Sequence, residues 1–198
     1  IGNTSTGTGS MASLTSGGDY NVAHGLESLP SNTTGARNTA YGTYSMYTNV
    51  SGDRNTAAGY HSLSLNVSGE RNTAIGTYAL YTNTGSRNTA LGYQSLYYNT
   101  GDYNLAGGYQ SLFKNIAGEY NAAFGYQSLY SNTSGNYNSA IGKSSLYSNT
   151  TGDFNVAVGN RAGYSLTTGS NNSVFGSYAY VGSSSGSNRT VIGYDTSG

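Results

Sequence analysis

The chain has 198 residues, and its eight Lys or Arg residues balance its eight Asp or Glu residues, so its formal net charge is zero. Gly (30) and Tyr (21) are abundant, Pro occurs once, and Cys and Trp are absent. Without clustered cations the composition argues against nucleic acid and anionic membrane surfaces as partners. The absence of Cys excludes a disulfide framework.

One nine-residue stretch, Asn88-Thr89-Ala90-Leu91-Gly92-Tyr93-Gln94-Ser95-Leu96, recurs along the whole chain. Its first position is Asn in every copy except the last, where it is Arg. That column is Asn3, Asn21, Asn38, Asn55, Asn72, Asn88, Asn104, Asn121, Asn138, Asn155, Asn172 and Arg189, in steps of 16 to 18 residues. A period this regular predicts a solenoid in which each repeat is one coil.

In chain order, a first copy at Asn3–Tyr20 leads into a regular array that continues to Gly159, and each unit ends in a polar turn of Asn, Thr, Ser and Gly. The two 16-residue steps both fall at shortened turns. From Asn160 onward the residues depart more often from the repeat pattern, as is common in terminal repeats. We therefore predict a regular β-roll over residues 1–159 and a degenerate terminal or transitional segment over 160–198. Because the chain starts at Ile1, we expect targeting or anchoring segments to lie outside it.

Each motif has the alternation of a β-strand and lacks the period of a helix. We expect two short strands in each coil and 11 to 12 coils in all. One face of the motif strand carries a uniformly small column, and a Leu column lies inside the coil. The small column is Ala23, Ala40, Ala57, Ala74, Ala90, Ala106, Ala123, Ala140, Ala157, Val174 and Val191, and the inner column is Leu29, Met46, Leu63, Leu80, Leu96, Leu112, Leu129 and Leu146.

The opposite strand face carries larger and mostly apolar residues. This column is His24, Tyr41, Ala58, Ile75, Leu91, Gly107, Phe124, Ile141, Val158, Phe175 and Ile192. An apolar stripe of that length would be a strong association surface if it stayed exposed. We expect several chains to bury it together, most simply as a homotrimer with cyclic symmetry.

The stretches Asn38–Gly42, Asn72–Leu80 and Asn88–Leu96 resemble the head repeats of YadA-like trimeric adhesins, and more closely the "NTAxGxxAL" arrays of phage tail fibres. The resemblance runs from about Asn3 to Gly193. It implies a left-handed parallel β-roll that trimerises along its length within a fibre or adhesin. The unit here is longer than in the adhesin heads and richer in Tyr.

A column of Asn beside the turns should form a structural ladder, because stacked identical amides hydrogen-bond to one another at the strand spacing. Its members are Asn32, Asn49, Asn66, Asn83, Asn99, Asn115, Asn132 and Asn149. Asn32-Thr33-Thr34 and Asn132-Thr133-Ser134 also match the N-glycosylation pattern. The turn chemistry explains these residues better than modification does.

Two further columns are candidates for binding a surface or glycan. Arg37, Arg54, Arg71 and Arg87 precede successive motif Asn residues and could hold an acidic sugar or phosphate, although a solvated edge balanced by nearby acids explains them as well. Tyr93, Tyr109 and Tyr126 follow the motif Gly beside Gln94, Gln110 and Gln127. These Tyr residues either form an aromatic ladder or stack against sugar rings.

No catalytic pattern is found. The acids are scattered over turns, no Ser has a His and an Asp in a suitable local arrangement, and no phosphate loop is present. His24 and His61 lie in different columns and do not indicate a metal pair. We therefore expect no enzyme activity, no catalytic or metal site and no cofactor.

These patterns predict a structural or adhesive segment of an extracellular trimeric fibre, on a phage tail or a bacterial surface, that binds a cell-surface glycan or host receptor and does not insert into membranes. Two alternatives stay open. An ice-binding solenoid would use Thr39, Thr56, Thr73 and Thr89, although Leu105, Ala122 and Val156 break that column. A glycan-degrading fibre enzyme could pair acids across clefts of the trimer.

Overall fold

The computed structural model describes residues 2–14 and 17–194, which form fourteen short strands. They are β1 (Thr4–Thr6), β2 (Val22–His24), β3 (Thr39–Tyr41), β4 (Thr56–Ala58), β5 (Thr73–Ile75), β6 (Thr82–Asn83), β7 (Thr89–Leu91), β8 (Tyr98–Asn99), β9 (Leu105–Gly107), β10 (Ala122–Phe124), β11 (Ser139–Ile141), β12 (Val156–Val158), β13 (Ser173–Phe175) and β14 (Thr190–Ile192). In these residues no helix is long and apolar enough to cross a membrane.

Twelve of these strands form one parallel sheet in the order β1-β2-β3-β4-β5-β7-β9-β10-β11-β12-β13-β14. Neighbouring strands pair motif to motif, so that Ala40 lies opposite Ala57 and Thr39 opposite Thr56. Each strand therefore belongs to one coil, and the coils stack along an axis of roughly 50 Å at the usual strand spacing. The predicted all-β parallel solenoid is confirmed, with about eleven turns.

The second half of most coils differs from the prediction of two strands per coil. A second pair, β6 with β8, forms in the two shortened coils, whereas in the other described coils this half consists of turns. Residues with a left-handed backbone conformation contribute to these turns, for example Gln94 (φ 53°) and Leu96 (φ 49°). Such a conformation bends the chain around the axis instead of extending it.

The interior contains the two columns predicted for it. Ala90 and Leu96 are fully buried, and so are their equivalents in the neighbouring coils. Ser95 is buried between them, and its hydroxyl donates to the carbonyl of Gly92 at 3.1 Å. Small and medium side chains therefore fill the narrow tube. The hydroxyls of Ser45, Ser62 and Ser95 are satisfied locally, whereas that of Ser28 has no partner among the described residues.

The outer face of the large sheet carries the apolar stripe. Its exposed members are Tyr41, Ile75, Leu91, Phe124, Ile141, Val158, Phe175 and Ile192, which expose between 36% and 75% of their surface. Gly107 does not interrupt the stripe, because the ring of Phe124 lies where a side chain at Gly107 would be. The stripe therefore follows the sheet along most of its length.

The degenerate repeats keep the same coil. Val174 pairs with Ala157 on one side and with Val191 on the other, so the register continues through β14. In the coil that follows Asn155, Gly163 stands in the Leu column and Leu166 stands in the column of turn Asn residues. Leu166 is buried, so the apolar residue lost at one position reappears three residues later.

Candidate functional site

The turn Asn column forms a hydrogen-bonded ladder inside the coil. Asn49 Nδ2 donates to Asn32 Oδ1 at 3.0 Å, and the same contact repeats from coil to coil up to Asn149, which donates to Asn132 at 3.0 Å. Each amide also donates to the carbonyl of the Gly in its own turn, as Asn32 does to Gly35 at 2.8 Å. These side chains are almost fully buried, so the ladder stabilises the turn and its amides are out of reach of a ligand.

Burial also bears on the glycosylation motifs. Asn32 and Asn132 are fully buried, and their Nδ2 atoms are committed to hydrogen bonds within the ladder. A glycan on Nδ2 would have to leave through the packed wall of the coil. The folded chain therefore cannot carry N-linked sugars at these two positions.

The motif Asn column forms a second ladder, which sequence reasoning missed. Asn38 Oδ1 accepts from the backbone N–H of Asn55 at 2.9 Å, and Asn38 Nδ2 donates to the carbonyl of Gly52 at 2.7 Å. The pattern recurs at Asn88, whose Nδ2 donates to Gly101 at 2.9 Å. The repetition of Asn at this position was the available signal, since a buried amide must satisfy both its donors and its acceptor.

The Arg column lies on the surface just before the motif strands. Arg37, Arg54, Arg71 and Arg87 are exposed, and each has a left-handed backbone with φ between 56° and 59°. Asp53, in the column next to it, accepts from the backbone N–H of Ala36 at 2.7 Å. The carboxylate of Asp53 therefore bridges two coils, besides adding negative charge near the guanidinium groups.

The Tyr column forms an aromatic stack on the far side of the strand from the Arg column. Tyr93 and Tyr109 have ring centroids 5.3 Å apart at 13°, and Tyr109 and Tyr126 are 5.1 Å apart at 6°. The neighbouring Gln side chains form their own ladder, with Gln110 donating to Gln94 at 2.8 Å. Stacking covers the inner ring faces and leaves edges and hydroxyls exposed. These hydroxyls can hydrogen-bond to a sugar, but most of the ring faces are not free to stack on one.

The two candidate columns are not brought together into one pocket. Arg87 lies two residues before strand β7 and Tyr93 lies two residues after it, so the outer sheet face separates them. The guanidinium of Arg87 instead lies 5.0 Å from the ring centroid of Tyr103, the next residue of its own column. From there the column continues as stacked rings through Tyr120 and Tyr137.

The two histidines remain separate. The ring of His24 lies tilted against that of Tyr41, with ring centroids 4.6 Å apart at 34°. His61 stacks on Tyr44 and Tyr78, and burial lowers the pKa of His61 below its usual range. Among residues 2–14 and 17–194 no group of three or more His, Cys, Asp or Glu is placed to hold a metal ion.

The four Thr residues considered for ice binding lie in consecutive coils. Thr39, Thr56, Thr73 and Thr89 are paired in register on the outer sheet face. The next strand position is Leu105, so the row of hydroxyls ends after four coils.

Compared with known proteins, this chain matches no protein family, no curated protein and no solved structure.

Proposed function

We propose that this chain is a rigid segment of an extracellular trimeric fibre, with a structural and adhesive role and no catalytic one. The observation that carries this proposal is the exposed apolar stripe on the outer face of the large sheet. The stripe runs parallel to the coil axis, because it is one column of a sheet whose strands stack along that axis.

The size of the stripe supports association. Its eight large side chains expose between 36% and 75% of their surface, which amounts to on the order of 600 Å² if each offers roughly 150–250 Å² when free. A contiguous apolar patch of this size lies at the upper end of what a monomer usually shows. It also approaches the roughly 800 Å² per partner of a standard protein–protein interface.

The shape of the stripe supports copies of the same chain as its partner. A narrow stripe along most of a rod is matched over its full length by an identical rod lying beside it. Closed cyclic symmetry limits such an assembly to a fixed number of chains. The resemblance to YadA-like heads and phage tail-fibre repeats supports three chains and a left-handed coil.

The surface outside the stripe supports an attachment role. The exposed Arg column extends over four consecutive coils, and the rim of Tyr93, Tyr109 and Tyr126 extends over three. Each would be present three times in the fibre. Weak contacts to a cell-surface glycan or host receptor would then combine through avidity. A phage tail fibre and a bacterial adhesin both fit this role.

Sedimentation equilibrium of the folded chain tests the trimer. We expect a species of three times the 20.5 kDa chain mass. Leu91→Lys with Ile141→Lys should dissociate it, because two charges in each chain would then lie inside the interface. Ile116→Lys is the matched control, since Ile116 is 53% exposed but lies in a turn away from the stripe. A folded monomer for the unmodified chain would refute the assembly.

A further inference from the structure

The two shortened coils leave a notch on the turn side of the solenoid. Strands β6 and β8 pair here, and each is followed by a turn that is one residue shorter than usual. The next coil has the full-length turn again, at Ile116-Ala117. The resulting cavity has a volume of about 420 Å³. It is lined by Thr82, Tyr98, Asn99, Thr100, Lys114 and Ile116.

Two residues of the notch, Tyr98 and Lys114, differ from the Ser or Thr that their column has at most positions. Tyr98 and Lys114 stand in a column that has Thr82 before them and Ser131 after them. Ile116 follows Thr100 and precedes Thr133 in its own column. Val50 and Val67 also stand in the column of Ile116, and Leu65 stands in that of Tyr98 and Lys114, so the coil accepts larger residues here. The notch is the place where an aromatic ring and a cation follow each other in one column.

The notch presents an aromatic ring that is oriented differently from the stacked Tyr residues. Tyr98 is 46% exposed and meets Tyr97 edge-on, with ring centroids 4.6 Å apart at 74°. It meets Phe113 in the same way, at 5.6 Å and 80°. No parallel neighbour covers the ring of Tyr98 among these contacts, unlike the rings of Tyr93 and Tyr109.

A cation lies beside the notch. The lining of the notch is almost wholly apolar, so Lys114 contributes its aliphatic stem to it. The Nζ of Lys114 lies beyond this lining, 5.7 Å from the ring centroid of Tyr130. Ile116, which is 53% exposed, adds an aliphatic wall. An apolar wall with one positive group beside it suits a ligand that has a hydrophobic ring face and a single negative charge.

We propose that this notch binds one acidic sugar residue of the uronic acid type. The C–H face of the sugar ring packs on Tyr98, and its carboxylate pairs with the ammonium of Lys114. The cavity volume falls within the usual range for small-molecule pockets. The inference rests on the proposed attachment role and names the ligand class for it.

The notch stays accessible in the proposed fibre. Thr100 follows Leu91 by nine residues of a 16-residue coil, which places the notch on the other flank from the apolar stripe. Packing through the stripe would therefore leave three notches open per trimer. Three weak sites on one rod can bind a multivalent glycan more tightly than a single site can.

Saturation-transfer NMR on the full chain tests the site with two probes that differ only at one carbon. Methyl β-D-glucuronide carries the carboxylate, and methyl β-D-glucoside does not. We expect transfer to the glucuronide, with the glucoside bound roughly twofold to fivefold more weakly because it lacks the exposed ion pair. Equal binding of both probes would overturn the role of Lys114.

The second part of the experiment uses variants in which Tyr98 or Lys114 is replaced by the Ser that is usual in their column. Tyr98→Ser should weaken glucuronide binding roughly tenfold, through loss of the ring contact. Lys114→Ser should remove the preference for the glucuronide over the glucoside. Both substitutions introduce the residue that the column has at Ser131, so the coil should fold, and a thermal melt checks this. Binding that survives Tyr98→Ser unchanged, or no binding by the unmodified chain, would overturn the site.

Tyr60→Thr is the matched control, because Tyr60 is also 43% exposed and its column has Thr43 and Thr77 on either side. We expect this variant to bind the glucuronide as the unmodified chain does, and loss of binding would count against a specific notch. Sedimentation of the same samples separates the two proposals. A folded monomer that binds the glucuronide refutes only the fibre, and a trimer that binds neither probe refutes only the site.

Discussion

Leu166 occupies in its coil the ladder position that Asn149 holds in the coil before, and the amide ladder ends between these two residues. Asn149 Oδ1 is buried and has no hydrogen-bond partner among the described residues. The next coil offers a methyl group where the ladder requires an N–H donor. A buried acceptor without a donor costs about 1–3 kcal/mol, so this junction is a weak point of the rod.

Restoring the regular pattern at this junction should stabilise the chain. Gly163→Leu with Leu166→Asn returns the Leu column and extends the ladder, and we expect a gain of about 1–3 kcal/mol in the free energy of unfolding. Leu166→Asn alone should destabilise the chain, because it removes a buried Leu while the Leu column still has Gly163 in this coil. Chemical denaturation of the two single variants and the double variant measures the coupling. Additive effects would contradict the compensation between Gly163 and Leu166.

The left-handed backbone of the Arg column predicts a stabilising substitution. Arg54 has φ 56°, and the same column has Asn171 and Asn188 near the C-terminal end of the solenoid, with φ 58° and 57°. Asn adopts this conformation more readily than Arg does. We expect Arg54→Asn to raise the free energy of unfolding by about 0.5–1 kcal/mol.

The loss of repulsion from Arg37 and Arg71 acts in the same direction. Thr56→Asn, two residues later in strand β4, is the control and should not stabilise the chain, because Asn is disfavoured in strands. Denaturation in urea compares the two variants. Equal or lower stability of Arg54→Asn would show that backbone strain at this column is negligible.

Close contact between coils predicts a large effect at Gly92. A Cβ atom there would lie 2.6 Å from the carbonyl oxygen of Gly108, and φ is 131°. Gly17 also has a positive φ, 115°, but a Cβ there would meet nothing within 4 Å. Gly17→Ala should therefore cost only the backbone strain, about 1–3 kcal/mol. Gly92→Ala should cost more than this, because adjacent coils must also move apart. Thermal denaturation that ranks the two variants equally would argue against the steric contribution.

The stacked Tyr residues predict a loss of stability in alkali. Burial raises the pKa of Tyr97 and Tyr147 above the usual value, and neighbouring Tyr residues add to the shift. The folded chain then keeps these protons at a pH where the unfolded chain, with Tyr pKa values of about 10, has lost them. The stabilisation is therefore complete below about pH 10 and declines as pH rises further.

Tyr147→Phe should reduce this alkaline sensitivity. Phe113 already occupies the same column and stacks on Tyr130 at 5.2 Å, so the ring is accommodated without its hydroxyl. At neutral pH we expect a change within about 0.5 kcal/mol, because the half-buried ring and its stacking are kept. Unfolding midpoints between pH 7 and 11.5 provide the comparison. An identical pH profile for the variant would show that Tyr147 does not contribute.

The sequence predicted the fold of this chain well, because its period, its small Ala90 column and its Leu96 column each require the same coil. It was less informative about the second half of the coil, where left-handed residues such as Leu96 replace an expected strand. Nothing in the residue type of Leu or Gln signals that conformation. Stacking against the neighbouring coils imposes it, and one coil alone could not.

For the candidate sites, too, some features could be predicted from the sequence and others required the tertiary structure. The sequence identified the columns of Asn32, Arg37 and Tyr93, because a solenoid turns a period into a line of side chains. Only the tertiary structure showed that the rings of Tyr93 and Tyr109 cover each other, that Asn88 belongs to a second amide ladder, and that Tyr98 and Lys114 line one notch. Repetition along the chain determines which residues form a column, whereas ring orientation, hydrogen-bond partners and cavities depend on how adjacent coils pack.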